Sequence, residues 1–423
     1  MRLLTLVVFF LSSLAAQADR VVVATHTIGP AATALFDVDL ASGSIAPIGR
    51  FPLDHLPPLA VEIDAVNRDV IVALADPTGA STLARLRLVG TTVAQTTVLG
   101  PVPGIVTSLA QAWNGRLVTT TAAGVFVTER NGGAAVQVAA LPFASALEPY
   151  SIHGTQVLVV QSGAPGFDPR LRWIDLATGQ TIGGPYVFAG HRPLGLTGVG
   201  DLPTGLSRQI LSQDDGTVAL SVNFTNPVPL ALQPSLPPGA TVAMRMRGFD
   251  GVALGGAAHP YLKSFAWPSG TQWTMLAGPL PGDPVDFAFR PAAAAKVVRF
   301  ADPCDSMFLD PDPAGGPPRI GNPGFALRLQ HGAGASAALL VVGASDRQAF
   351  TLPLPAPLPG GCRLQVSPDV VLATTTDPFG TATVPLGVPA SPTLAGGIVF
   401  AQWLQPAASG IAASNAGAVW LDF

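Results

Sequence analysis

The sequence predicts an all-β protein: a six-bladed β-propeller, with a seven-bladed ring as the alternative, followed by a C-terminal antiparallel β-sandwich. Three observations carry that expectation. The turn Asp-Leu-Ala-[Ser/Thr]-Gly is written at Asp39 and again at Asp175, 136 residues later. Prolines that stand before apolar runs recur at Pro58, Pro103, Pro149, Pro193, Pro238 and Pro284, at intervals of 45, 46, 44, 45 and 46 residues. Charged residues make up only 11% of the 423, with two lysines and three glutamates. About a quarter is usual. Long solvated helices need Lys and Glu on their outer faces, whereas twisted sheets can be faced with Thr, Ser, Ala and Gly.

The elements follow in order. "MRLLTLVVFFLSSLAAQADR" sets one Arg before an apolar core from Leu3 to Leu14, and Ala16-Gln17-Ala18 offers the small residues a signal peptidase accepts. Residues 1–18 are therefore expected to be removed. No later stretch is long and apolar enough to span a membrane, so an exported chain without a transmembrane segment is expected, its address extracellular, surface or periplasmic. Net charge is −4 with no basic block, which argues against nucleic-acid partners.

Residues 19–295 carry the repeat. Proline cannot donate to a ladder, so it belongs at a strand's first residue or in the turn before it. In the period opened by Pro58, strands are expected at Leu59–Ile63, Asp69–Ala73, Leu83–Leu88 and Val93–Leu99. Four antiparallel strands in about 45 residues make a propeller blade. The period before Pro58 would start at residue 13, inside the signal peptide. The first blade, Val21–Thr25, Ala34–Asp39 and Ile45–Phe51, therefore lacks an innermost strand. Val285–Arg290, left over after Pro284, is expected to supply it and so remove two open edges. The seven-bladed alternative would recruit Val297–Phe300 to the ring.

At "LRWIDLATGQTIGGPYVFAGHRPLGLTGVG" the chain resembles the lactonase-like and YVTN-type propeller repeats of exported bacterial proteins. Those repeats carry an Ile-Asp-x-x-Thr-Gly hairpin and a Gly-x-x-Pro lead into the next strand. The resemblance implies the propeller fold, and that fold hosts many functions.

Residues 296–423 lose the 45-residue period. Alternating runs such as "FALRLQ", "AALLVVGA", "FTLPLPAP", "CRLQVSP", "TATVPL", "IVFAQWL" and "AVWLDF" predict about seven short strands. Cys304 and Cys362 are the only cysteines, and in an oxidising compartment they are expected to pair. Closing that loop would stabilise by up to about 4 kcal/mol. "GNPGF" (321–325), "GGCRL" (360–364), "PTLAGGIVFAQW" (392–403) and "SNA" (414–416) resemble a module that ends exported bacterial proteins of unknown function. Its terminal position implies attachment or sorting.

Motifs for nucleophile elbows, zinc proteases and phosphate loops are missing. Asp302, Asp305, Asp310 and Asp312 lie close enough in sequence for Ca²⁺, but the EF-hand pattern is broken and a solvated linker explains them as well. In a propeller, the loop between strands two and three shares a face with the link between blades. His26 and His259 fall in the first kind of loop, His55 and His191 in the second. Asp54, Asp76, Asp168, Arg170 and Arg192 occupy the same classes of loop, and His153 falls on the opposite face. A mouth of His, Asp and Arg there is where a ligand, glycan or surface protein would bind. Glu62 and Asp286, on innermost strands, could place carboxylates in the channel, as in metal-using lactonase-like propellers, and could equally cap a turn or pair with an Arg. Trp113, Trp173, Trp267 and Trp273 are expected to pack blades. The leading expectation is an exported binding protein without an assigned reaction or cofactor. A lactonase-like hydrolase and a structural surface protein are the alternatives.

Overall fold

The computed structural model describes residues 20–26, 35–112, 114–150, 156–161, 170–187, 193–199, 208–213, 218–222, 228–230, 241–247, 250–256, 260–266, 273–290 and 295–423. The signal-peptide expectation lies outside them. Among the described residues there is no α-helix, only a 3-10 turn at Pro392–Leu394, and no helix long and apolar enough to cross a membrane.

The chain divides into two compact units. The first is built of four-stranded antiparallel sheets. One holds β1 (Arg20–His26), β2 (Leu35–Asp39) and β3 (Ile45–Pro47). The next holds β4 (Pro58–Ile63), β5 (Val70–Ala75), β6 (Ser81–Val89) and β7 (Thr92–Val102). Then come β8 (Val106–Gln111), β9 (Leu117–Thr121), β10 (Gly124–Thr128) and β11 (Val136–Ala139), followed by β12 (Ala144–Tyr150), β13 (Gln156–Gln161), β14 (Arg170–Asp175) and β15 (Thr181–Val187). The last two full sheets are β16 (Pro193–Val199), β17 (Arg208–Gln213), β18 (Val218–Val222) and β19 (Val228–Leu230), and β20 (Thr241–Arg247), β21 (Asp250–Gly255), β22 (Leu262–Ala266) and β23 (Thr274–Ala277). Finally β24 (Asp283–Arg290) joins the first sheet, whose order is β24-β1-β2-β3.

The expected closing strand is thus present. β24 pairs antiparallel with β1 from Arg20↔Arg290 to His26↔Asp283. The first strands of successive sheets pack against one another in a closed cycle, β24, β4, β8, β12, β16, β20 and back to β24. The first sheet is buried on both faces. On β1, Val22 and Ala24 join a core with Val61, Val72 and Leu86 of the following sheet. Val21 and Val23 join Val252, Leu254 and Leu262 of the preceding one. Such double burial explains why β1 reads as a continuous apolar run rather than an alternation. The arrangement is propeller-like.

The repeated turn has a structural reason. In both copies the Asp carboxylate accepts two backbone N–H groups, from Ala41 and Ser42 at Asp39 and from Ala177 and Thr178 at Asp175. Both turns link the third and fourth strands of their sheets, and both glycines stand at φ +70°. A Cβ on Gly43 would meet the Leu276 carbonyl oxygen, and one on Gly179 the Val138 carbonyl oxygen. Leu276 and Val138 lie on β23 and β11, the outermost strands of the preceding sheets. The turn is a docking point of each sheet on its neighbour.

Pro149, expected just before a strand, lies instead within β12, opposite Val157. As a first strand, β12 bonds a partner in its sheet on one side only, so a residue without an N–H is tolerated.

The second unit comprises Ala293–Phe423 together with Ala65–Asn67 and Trp113–Gly115. Its strands are β25 (Lys296–Phe300), β26 (Phe308–Leu309), β27 (Ala326–Gln330), β28 (Ala337–Gly343), β29 (Gln348–Ala349), β30 (Leu352–Pro353), β31 (Ala356–Pro357) and β32 (Arg363–Leu364). β33 (Val370–Thr375), β34 (Ala382–Pro385), β35 (Ile398–Ala407) and β36 (Gly410–Trp420) complete it. A five-stranded sheet, β25-β36-β35-β28-β33, and a three-stranded sheet, β26-β27-β34, share one apolar core. Val297–Phe300, the strand a seventh blade would need, lies in β25 and pairs with β36. "FTLPLPAP" forms two short ribbons instead of one strand, because its prolines interrupt any ladder. "AVWLDF" is the end of the long strand β36, and β33 was not foreseen. Cys304 and Cys362 form the expected disulfide, with Cα atoms 5.3 Å apart.

Two outcomes follow from the ring. Gly179→Ala should cost at least ~1 kcal/mol in denaturant melts, and more than Gly43→Ala, because its Cβ has less room against the neighbouring sheet. The second concerns Asp37, which is fully buried and accepts from Arg20 of β1 at 2.6 Å and from Arg290 of β24 at 2.9 Å. Asp37→Ala should cost about 2–3 kcal/mol, less than a fully buried pair, because both arginines can hydrate. An unchanged melting midpoint would show that the carboxylate contributes nothing at the seam.

Candidate functional site

Three ionisable side chains meet on adjacent first strands. Glu62 is on β4, Asp286 on β24 and Arg245 on β20, strands that follow one another in the closed cycle. Arg245 Nη1 donates to Glu62 Oε2 at 2.9 Å, and Nη2 donates to the Val61 carbonyl at 3.1 Å. The same Nη2 lies 3.5 Å from Asp286 Oδ2. The carboxylates are further held by backbone donors. Val61 N–H reaches Asp286 Oδ2 at 2.9 Å, Phe287 N–H reaches Asp286 Oδ1 at 2.8 Å, and Ile63 N–H reaches Glu62 Oε1 at 2.8 Å. The guanidinium also lies 6.0 Å from the centre of the Phe287 ring.

Two carboxylates and one guanidinium leave a net negative charge, and none of the three side chains is more than 20% exposed. Burial pushes the Asp286 carboxyl above its ordinary value, and the nearby Glu62 adds to the rise. Arg245 and the N–H groups of Val61 and Phe287 pull the other way without cancelling it. The position a bound cation would take between the carboxylates is held by the protein's own guanidinium.

Of the uses open to Glu62 and Asp286 from the sequence, the structure shows both paired with an Arg. It missed Arg245. The available signal was "AMRMR", where cations alternate with apolar residues in a strand that must be buried on one face. It also missed a second cluster. Asp64, fully buried after β4, lies 3.2 Å from Arg85 Nη2 and 3.2 Å from Arg130 Nη1, and accepts Gln111 Nε2 at 3.0 Å. Arg85 is on β6, Gln111 on β8 and Arg130 in the turn after β10, so this carboxylate bolts two sheets together.

The loop residues fare differently. His26 Nε2 lies 2.8 Å from the Pro58 carbonyl oxygen at the head of β4. Asp54 and His55 are in the loop leading into β4. Asp76 follows β5 and accepts the Thr78 N–H at 2.8 Å, a bond that lowers its pKa. Arg170 opens β14 opposite Gln161, which in turn stands opposite Ala144 at the start of β12. By register, His26, Asp54, His55, Asp76 and Arg170 all lie where the first strand of their own or the following sheet begins. Among the described residues, no hydrogen bond or ion pair joins the side chains of these five. Asp168, His191, Arg192, His259 and His153 lie outside the described residues.

Of the acidic run in the second unit, Asp310 is buried against Arg328 at 3.4 Å, and Gln330 donates to it. Asp302 accepts Asn114 Nδ2 at 3.2 Å, and Asp305 caps Ser306 N–H. Asp310 N–H and its carboxylate are built into the β26–β27 corner, the N–H donating to the Arg328 carbonyl at 2.9 Å, whereas Asp302, Asp305 and Asp312 are exposed. The matched motifs also have structural duties. Gln402 Nε2 donates to Ser414 O and Arg363 O, Trp403 N–H donates to Ser414 Oγ, and Leu309 N–H donates to Asn415 Oδ1. Asn322 ties Gly315, Pro317 and Gly324 into one corner.

No protein-family model matches the chain, and no curated protein matches it. Among solved structures, the hydrazine synthase of Kuenenia stuttgartiensis is 12% identical with a TM-score of 0.40, over 55% of this chain and 70% of that one. A protein from Lactobacillus plantarum is 11% identical with a TM-score of 0.41, over 64% of this chain and 98% of that one. Neither likeness is close enough to carry an argument about chemistry.

The raised Asp286 value gives a signed expectation. A carboxyl whose value is raised by folding takes up a proton as the chain folds. Its contribution to stability therefore falls as pH rises from the ordinary carboxylate value through the raised one. Asp286→Asn removes that dependence. The melting temperature of the variant, measured against wild type across this interval, should gain on wild type as pH rises. Parallel curves would show that Asp286 titrates normally.

Proposed function

We propose that the protein is an exported six-bladed β-propeller with a C-terminal β-sandwich. In this reading the propeller binds an extracellular ligand, a glycan or a surface protein, and the sandwich attaches the chain. The observation that carries it is the shared placement of His26, Asp54, His55, Asp76 and Arg170 at the strand-start ends of three sheets. Hydrogen-bonding and charged groups of both signs at one mouth suit a polar ligand. The disulfide suits an oxidising compartment, which supports the export reading. No reaction belongs to the proposal. Among the described residues of the first unit, Asp37, Asp64, Asp69, Glu62 and Asp286 are already committed to arginines.

The full chain should capture a member of a panel of surface polysaccharides and extracellular peptides. His26→Ala combined with His55→Ala should weaken that capture by about tenfold, the loss of one or two polar contacts, and should lower the melting temperature only slightly, through the lost bond to the Pro58 carbonyl. Capture that survives this variant but fails in Arg245→Met would move the site to the first strands. Turnover of a lactone or ester would replace the binding reading with an enzymatic one.

A further inference from the structure

Every sheet in an antiparallel architecture has edges, and the described strands show how this chain treats them. An edge left long, regular and uncharged is a template for another strand. The outermost strands of the first unit are all blunted. β3 and β19 are three residues long and contain Pro47 and Pro229. β7 and β15 contain Pro101 and Pro185, and their ladders shift register. β11 and β23 are four residues long, each with a register shift. In the second unit, β25 carries Lys296 and Arg299, β26 has two residues, and β34 ends on Pro385.

β33 is the exception. It is the last strand of the five-stranded sheet and pairs with β28 through six consecutive positions without a shift. Its sequence, Val370-Val-Leu-Ala-Thr-Thr, has no proline and no charge. Val370 and Val371 are each 50% exposed. The ends are acidic: Asp369 and Asp377 are exposed, and each spends one oxygen on local donors, Ala344 N–H and Ser367 Oγ for the first and Phe379 and Thr381 N–H for the second.

We propose that β33 is a strand-addition site for an extended segment of a partner polypeptide, β-branched in its middle and flanked by Lys or Arg. Backbone bonds along the edge supply affinity, and the alternating side chains and charged ends supply selectivity. A second copy of this chain is the poorer occupant. An antiparallel pair centred on Ala373 would set Asp369 against Asp377 at both ends, and like charges directly opposed are destabilising. The inference rests on the attachment role proposed for the second unit and names the chemistry of what it attaches to.

The test uses the full chain and a blocked heptapeptide, Lys-Val-Thr-Val-Thr-Val-Arg, with fluorescence anisotropy as the readout. The peptide should bind. A copy N-methylated at alternate residues, which cannot donate along one edge, and a copy with glutamate at both ends should bind at least about tenfold more weakly. Val371→Lys should abolish binding. Should that variant fold poorly, Asp369→Asn with Asp377→Asn, both at the surface, should still weaken the cationic peptide several-fold and erase its advantage over the acidic one. Equal binding of the two peptides, no binding of either, or a wild-type dimer in sedimentation that Val371→Lys dissolves would each overturn the proposal. Attachment itself is read separately. If the wild-type chain is released freely from the cells that export it, the attachment role fails. If Val371→Lys stays attached while losing the peptide, only the assignment to β33 fails.

Discussion

The first unit depends on one pairing, that of β24 with β1. Without it, β1 would present an open inner edge at one side of the seam, and β24 would have no sheet. The two strands carry Arg290 and Arg20 directly opposite each other, an arrangement that would repel but for Asp37 on the adjacent β2. The carboxylate accepts from both guanidiniums and is itself shut off from water. Ion pairs of this sort add little net stability over apolar packing, but they make a mismatched seam costly, since any other register strands a buried charge.

The same logic extends inward. Glu62, Arg245 and Asp286 span three successive first strands that include β24, so the closing strand is gripped from within as well as at its end. Asp64 does comparable work between the second and third sheets. In a chain with so few charges, Asp64, Glu62 and Asp286 are spent on joining sheets and Asp37 on joining the strands of the seam, each of them reached by an arginine from another strand. At the strand-start ends, by contrast, His26 and Asp76 bond to backbone groups, the Pro58 carbonyl and the Thr78 N–H.

The second unit applies polar groups in another way. Its long hairpin, β35–β36, carries Gln402, Ser414 and Asn415 in the interior, where each satisfies backbone groups of strands that would otherwise be left unbonded. Buried polar groups must be paired, so these positions tolerate few alternatives. The short sequence motifs of this region are therefore the grammar of a fold. They locate corners and strand switches, and the contacts they make are internal to the unit.

Much of this was legible in the sequence. The 45-residue spacing and the duplicated Asp-Leu-Ala turn predicted four-stranded sheets and the closing strand, because turn chemistry and strand length are local properties that each period writes anew. The cysteine pair followed from counting. The carboxylates Glu62 and Asp286 stood out as charges in apolar strands. What the sequence could not supply were the partners. Arg245 meets Glu62 across 183 residues, Arg290 meets Asp37 across 253, and Asp286 receives the Val61 N–H across 225. Whether a charge in a strand becomes a site or a staple depends on what the neighbouring sheet places opposite it, and that is set only when the ring shuts. The edge of β33 is of the same kind: its composition is written in the chain, but its position at the margin of a sheet exists only once β28 has taken one side and no described strand pairs with the other.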